Sequence, residues 1–223
     1  MRPFVRTKLS ATFVGLALAA LTSVAQAPQD WRIALVIGNA AYQTIPALGN
    51  SANDAKSMAL VLKKLGFQVI ELIDANQAEM KKTLASLPAQ LKDKQAVAML
   101  YYAGHGLQLD WHNYMVPVDA KLNQAADVPA QTVDIESVLS VFKDARTRMN
   151  ILVLDACRDN PFAGKSGSKG LAQMDAPPGT YIAFATAPGN VAEDGDVASG
   201  NGLFTQYLLK ELQRPASIEN VFK

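Results

Sequence analysis

A single cysteine, Cys157, stands in a chain of 223 residues, so no disulfide forms within it. Histidine is almost as scarce. His105 and His112 are the whole supply, and with one thiol and no close ligand spacing they give little support for a metal site. Charge of one sign is missing too: 21 basic residues against 20 acidic ones leave a net charge of +1, and like charges do not run together. That balance argues against a nucleic-acid surface or a polybasic membrane patch. The glycine spacing of a dinucleotide fingerprint is absent from "VIGNAAY", and no GxxxxGK phosphate loop occurs, which disfavours a nucleotide-binding enzyme. There is no internal repeat.

What is present is a hydrophobic fraction of 49%, enough for a sizeable core in one domain. The N-terminus stands apart from it. "MRPFVRTK" carries Arg2, Arg6 and Lys8 with no acid, an uncharged apolar stretch follows, and "VAQA" places small residues at alternate positions. This is the order of a secretory signal. The apolar run is shorter than the ~20 residues that span a bilayer, which disfavours an uncleaved anchor. Residues 1–27 are therefore expected to be a signal peptide, cut after Ala25 in preference to Ala27, where Pro28 would become the first mature residue. The expectation that follows is a periplasmic or secreted protein, with no membrane association once the signal is removed, and residues 28–223 as its folded domain.

From Trp31 onward, strand-like and helical patterns alternate. "RIALVIG", "FQVIELI", "AVAMLYYAG", "NILVLDAC" and "TYIAFATA" read as five strands. Ala55, Met58, Ala59 and Leu62 lie at helical spacing after an Asn/Ser start signal and before Gly66. "NQAEMKKTLASLPAQLK" is expected to be a helix interrupted near Pro88, "VDIESVLSVFKDAR" and "GLFTQYLLKEL" to be further helices, and "LQLDWHNYMVPVDA" a hairpin projecting beyond the sheet. This alternation implies an α/β fold in three layers, with a mostly parallel sheet covered by helices on both faces. Residues 158–179 form a long connection rich in Gly, Ser, Pro and Lys, the kind that is usually functional or flexible.

Two of the scarce residues fall at strand ends. His105 follows the third strand, between two glycines, and Cys157 ends the fourth. Alone, the first reads as a structural histidine and the second as a core thiol. On neighbouring parallel strands they would share the carboxyl edge, where open α/β sheets bind ligands. A thiol beside an imidazole is what a cysteine nucleophile needs, because the thiolate is the reactive form and a base generates it. On such neighbouring strands the N–H groups of Gly106 and Cys157 would be able to meet an oxyanion. His112 reads as a surface or packing residue.

The strings "RIALVIGNAAY", "LGNSANDA", "LYYAGHG", "YMVPVDA" and "ILVLDACRDN", in that order over residues 31 to about 212, resemble the caspase-like cysteine peptidases and, within them, the bacterial metacaspase-like group. The histidine stands 52 residues before the cysteine, close to the spacing caspases have. The resemblance implies a cysteine endopeptidase in which His105 is the base and acid, Cys157 the nucleophile and Gly106 part of the oxyanion hole. Asp155 lies two residues before Cys157, and strand periodicity puts both on one face. A carboxylate there repels acidic substrates and attracts basic ones. Metacaspases use the equivalent aspartate to hold Arg or Lys, together with an acid after the first strand that matches Asp54. A helix-start acid, favoured by the dipole, is the other reading of Asp54.

The partners so implied are proteins or peptides with basic residues, and Lys165 and Lys169 are weak candidates for self-cleavage. Asp119, Asp134 and Glu136 only partly match the clustered acids behind calcium dependence in that group, so neither calcium nor any other metal or cofactor is assigned. The alternative is a catalytically silent caspase-like module that binds peptides or partner proteins. The family has six strands where this sequence supplies five. Either the sixth lies beyond Lys223 or the sheet is incomplete at one edge.

Overall fold

The computed structural model describes residues 30–157, 171–185 and 200–222, with Cys157 described by its backbone. The expected signal at 1–27, the Cys157 side chain, Lys165 and Lys169 lie outside the described residues. Strand β1 (Arg32–Gly38) is followed by α1 (Ser51–Lys64), β2 (Gln68–Ile73) and α2 (Gln77–Leu91). The chain then forms β3 (Val97–Leu109) and β4 (His112–Met115), a short α3 (Asp127–Gln131), β5 (Val133–Asp134) and α4 (Ile135–Asp144). Strands β6 (Met149–Cys157) and β7 (Thr180–Phe184) come next, with α5 (Leu203–Leu212) and α6 (Ile218–Val221) last.

The five strands legible in the sequence make one parallel array in the order β2-β1-β3-β6-β7. Strand β4 pairs antiparallel with β3, and β5 antiparallel with β4, which gives seven strands among the described residues. Central β3 is apolar on both faces because both are covered. On one side Leu100, Tyr102, Leu152 and Leu154 pack with Leu84, Leu87 and Leu91 of α2 and Val138 and Phe142 of α4. On the other side Tyr101 and Val153 pack with Ala55, Met58 and Leu62 of α1 and Leu208 of α5. The three-layer α/β architecture is the expected one.

Several local expectations need correction. Helix α2 is not interrupted at Pro88; it runs through to Leu91. Pro88 removes the N–H that would reach Leu84 O, but Leu84, Leu87 and Leu91 around it are all buried in the core, and that packing holds the helix continuous. A capping box between Asn76 and Glu79 secures the other end. Strand β3 does not end at His105 but continues to Leu109 as the first arm of the projecting hairpin. The hairpin turns through Asp110 and Trp111, both at positive φ. "VD" at 133–134 pairs with β4 as a strand instead of opening α4. Part of the long connection after β6 is fixed: Asn113 of β4 donates to the carbonyl of Ala172 and accepts from its N–H.

Candidate active site

The order of the parallel strands reverses at β1. The chain leaves β1 to build β2 on one side and then crosses to build β3 on the other. Pairing between β1 and β3 stops at Gly38 opposite Ala103, while β3 and β6 stay paired two residues further, to His105 opposite Cys157. The scarce histidine and the single cysteine sit at matched register positions at this carboxyl edge, where open α/β sheets bind ligands.

The loop after β1 reaches over His105. Asp74 Oδ1 accepts from the N–H groups of Ala40 and Ala41, at 2.7 and 2.8 Å, and Gln43 N–H donates to Val118 O. Wholly buried Asn39 accepts from Ala75 N–H and donates to Val116 O, tying the end of β1 to its neighbours. The loop thus brings two groups to the histidine. Tyr42 OH accepts from His105 N–H at 2.7 Å, its ring 4.6 Å from the imidazole. The main-chain carbonyl of Pro46 lies 2.8 Å from His105 Nε2. A carbonyl can only accept, so Nε2 carries the proton and Nδ1 of the neutral ring keeps its lone pair.

The two glycines serve different ends. A Cβ at Gly104 would lie 2.7 Å from the hydroxyls of both Tyr102 and Tyr42, so the close approach of these phenols requires glycine. At Gly106 the backbone direction matters. His105 O accepts from Val116 N–H, on the β4 side of β3, where β1 also lies. Across the trans peptide, Gly106 N–H points the opposite way, toward the β6 edge that carries Cys157.

Asp155 and Asp54 approach the same phenol. Asp155 Oδ2 accepts from Thr205 of α5 at 2.7 Å and lies 3.4 Å from Tyr101 OH. Asp54 sits in the first turn of α1, not in the preceding loop; it is buried, and its Oδ1 accepts from Gly202 N–H at the start of α5 at 2.8 Å. The Asn201 amide, with its nitrogen turned toward Asp54, donates to the same oxygen at 3.0 Å. Burial pushes the Tyr101 phenol well above its usual range, and the charges of Asp155 and Asp54 push it further. Two carboxylates thus share one electrostatic site behind the strand ends. Sequence reasoning selected both acids and missed Tyr42, Pro46, Tyr101 and Thr205. "YYAGHG" and "NAAY" contain the tyrosines, but no periodicity distinguishes a phenol that binds a backbone from one that fills a core.

His112 is half-exposed. Its Nδ1 lies 3.0 Å from Asp134 and 3.7 Å from Glu136, and Asp134 also caps α4 through Glu136 N–H. Asp119 is engaged elsewhere, accepting from Gln77 N–H.

A parallel α/β sheet with an imidazole and a cysteine matched at its carboxyl edge, and acids behind them, defines the class of caspase-like folds. A profile of the caspase domain matches residues 31–223, and the chain belongs to that family of cysteine peptidases. It is 32% identical over 127 residues to the human mucosa-associated lymphoid tissue lymphoma translocation protein 1, and equally so to its mouse homolog. These matches cover 57% of this chain and 15% of each relative, so the chain corresponds to a small part of their length. Among solved structures, the Drosophila initiator caspase Dronc shares the fold, with a TM-score of 0.57 at 14% identity over 85% of this chain and 68% of that one.

Proposed function

We propose that this chain is a cysteine endopeptidase of the metacaspase type that hydrolyses peptide bonds after Arg or Lys. The observation that carries the reading is the register match of His105 and Cys157 at the carboxyl edge of the sheet, with Asp155 two residues before the cysteine. In this scheme the Cys157 thiol passes its proton to His105 Nδ1, whose availability is supported by the Nε2 bond to Pro46. The thiolate attacks the substrate carbonyl carbon, and the oxyanion that forms is met by the N–H groups of Gly106 and Cys157, which leave the last rung of the β3–β6 ladder to do so. Collapse of the tetrahedral species expels the amine, which takes the proton from His105. Water, deprotonated by the same ring, then hydrolyses the thioester. The negative site built by Asp155 and Asp54 favours a cationic side chain on the amino side of the cut bond. Its natural setting in this reading is outside the cytoplasm, supported by the signal-like order of residues 1–27.

The test is hydrolysis of arginyl and lysyl peptide amides by the mature protein, with Cys157→Ala and His105→Ala as controls and with labelling by a basic chloromethylketone. Cleavage lost in both variants, with one adduct at Cys157, is the expected result. A folded protein that neither cleaves nor takes the label would sink the peptidase reading and leave a peptide-binding module.

A further inference from the structure

The acid assigned to the basic side chain is itself held by a directed chain of hydroxyls. Thr205 is wholly buried on α5, with its Oγ1 2.7 Å from Asp155 Oδ2 and 2.6 Å from the phenolic oxygen of Tyr101, which is also wholly buried. Each hydroxyl has one proton to give, and an ionised carboxylate only accepts. The Thr205 proton therefore goes to Asp155, and Tyr101 completes the chain by donating to Thr205 Oγ1. Both donations run toward the carboxylate, and hydrogen bonds in series reinforce one another in a low-dielectric interior. Tyr101 holds its proton because burial and the charges of Asp155 and Asp54 oppose its ionisation. Every titratable group to which this phenol responds, on β6 and on α1, thus favours the direction described.

The chain also links the two acids. Helix α5 packs on α1, offers Gly202 N–H to Asp54 and, one turn later, the Thr205 hydroxyl to Asp155. A threonine whose only task was to fill space between α5 and the sheet would not need its hydroxyl between a phenol and a carboxylate.

We propose that Thr205, backed by Tyr101, is the positioning residue that orients the Asp155 carboxylate and thereby sets the preference for a cationic over a neutral substrate side chain. This rests on the peptidase reading above. Neither residue is required to touch substrate; both act through Asp155.

The experiment compares kcat and KM on a pair of peptide amides that differ only in arginine or its neutral isostere citrulline, together with the thermal midpoint of each variant. Thr205→Val, close to isosteric, removes the hydroxyl. It is expected to raise KM for the arginyl substrate about tenfold, the order of a lost hydrogen bond to a charged group, while KM for the citrullyl substrate and kcat for both stay within about twofold. Thr205→Ser should restore the arginine preference, Tyr101→Phe should weaken it less than Thr205→Val does, and Thr205→Val should add nothing to Asp155→Asn. A Thr205→Val protein with a lower thermal midpoint but an unchanged arginine-to-citrulline ratio would show a packing role only and overturn the proposal. A wild-type protein that cleaves both amides without arginine preference overturns the proposal alone, and one that cleaves neither fails the peptidase reading, and the proposal with it. The two failures are therefore distinguishable.

Discussion

The carbonyl of Pro46 and Nε2 of His105 stand 2.8 Å apart, although 59 residues separate them in the chain. This contact fixes the tautomer of the ring. It exists because the loop after β1 is anchored at Asp74, Asn39 and Val118 before it reaches the histidine. A base oriented by a third group is the general arrangement for activating a nucleophile.

The loop's second contact predicts the effect of Tyr42→Phe. Loss of the hydroxyl leaves His105 N–H without the partner it has at 2.7 Å, and an orphaned N–H costs about 1–3 kcal/mol. Urea denaturation should show a destabilisation of that order. Hydrolysis of an arginyl amide should fall roughly tenfold, mainly in kcat, since a base shifted by a fraction of an ångström loses near-attack geometry. A variant with wild-type kcat would detach Tyr42 from the site.

Gly104→Ala tests packing at the same edge. The new methyl would be placed 2.7 Å from two phenolic oxygens, one hydrogen-bonded to His105 N–H and the other to His105 O. Neither phenol retreats without losing its bond. The expected cost is at the upper end of the roughly 1–3 kcal/mol typical of overpacking, with activity lost alongside. A thermal midpoint within a degree of wild type would contradict the close approach.

Tyr101 makes a prediction about alkali. Its phenol is raised well above the usual value of 10.0, by burial first and then by Asp155 and Asp54. The folded state therefore holds a proton that the unfolded chain releases near pH 10. Stability from this group is complete below that pH and is lost as pH rises above it. Absorbance of phenolate should reveal tyrosines that ionise only with unfolding, and Tyr101→Phe should reduce that step by one tyrosine. Full ionisation of every tyrosine in a protein still folded would refute the buried phenol.

Five parallel strands and their covering helices were legible because burial leaves a local signature. A strand covered on both faces, such as "AVAMLYY", is apolar throughout, and a helix with one buried face repeats its apolar residues as Ala55, Met58, Ala59 and Leu62 do. Pro88 misled because the burial of Leu84, Leu87 and Leu91 that carries the helix past it is a tertiary effect. The two-residue β5 and the short α3 and α6 escaped notice because elements of that length carry no period.

His105 and Cys157 could be chosen from the sequence because scarce, reactive side chains at the ends of long apolar runs are chemically conspicuous. The polypeptide by itself determined which residues can do chemistry and which surfaces must be buried, since residue type and spacing are properties of the chain. Only the tertiary structure decided that Pro46 fixes the imidazole proton, that Gly106 N–H turns toward β6, and that Thr205 reaches Asp155 across 50 residues of sequence. Each of these depends on the direction of a hydrogen bond between distant segments, and direction exists only once the sheet has set those segments side by side.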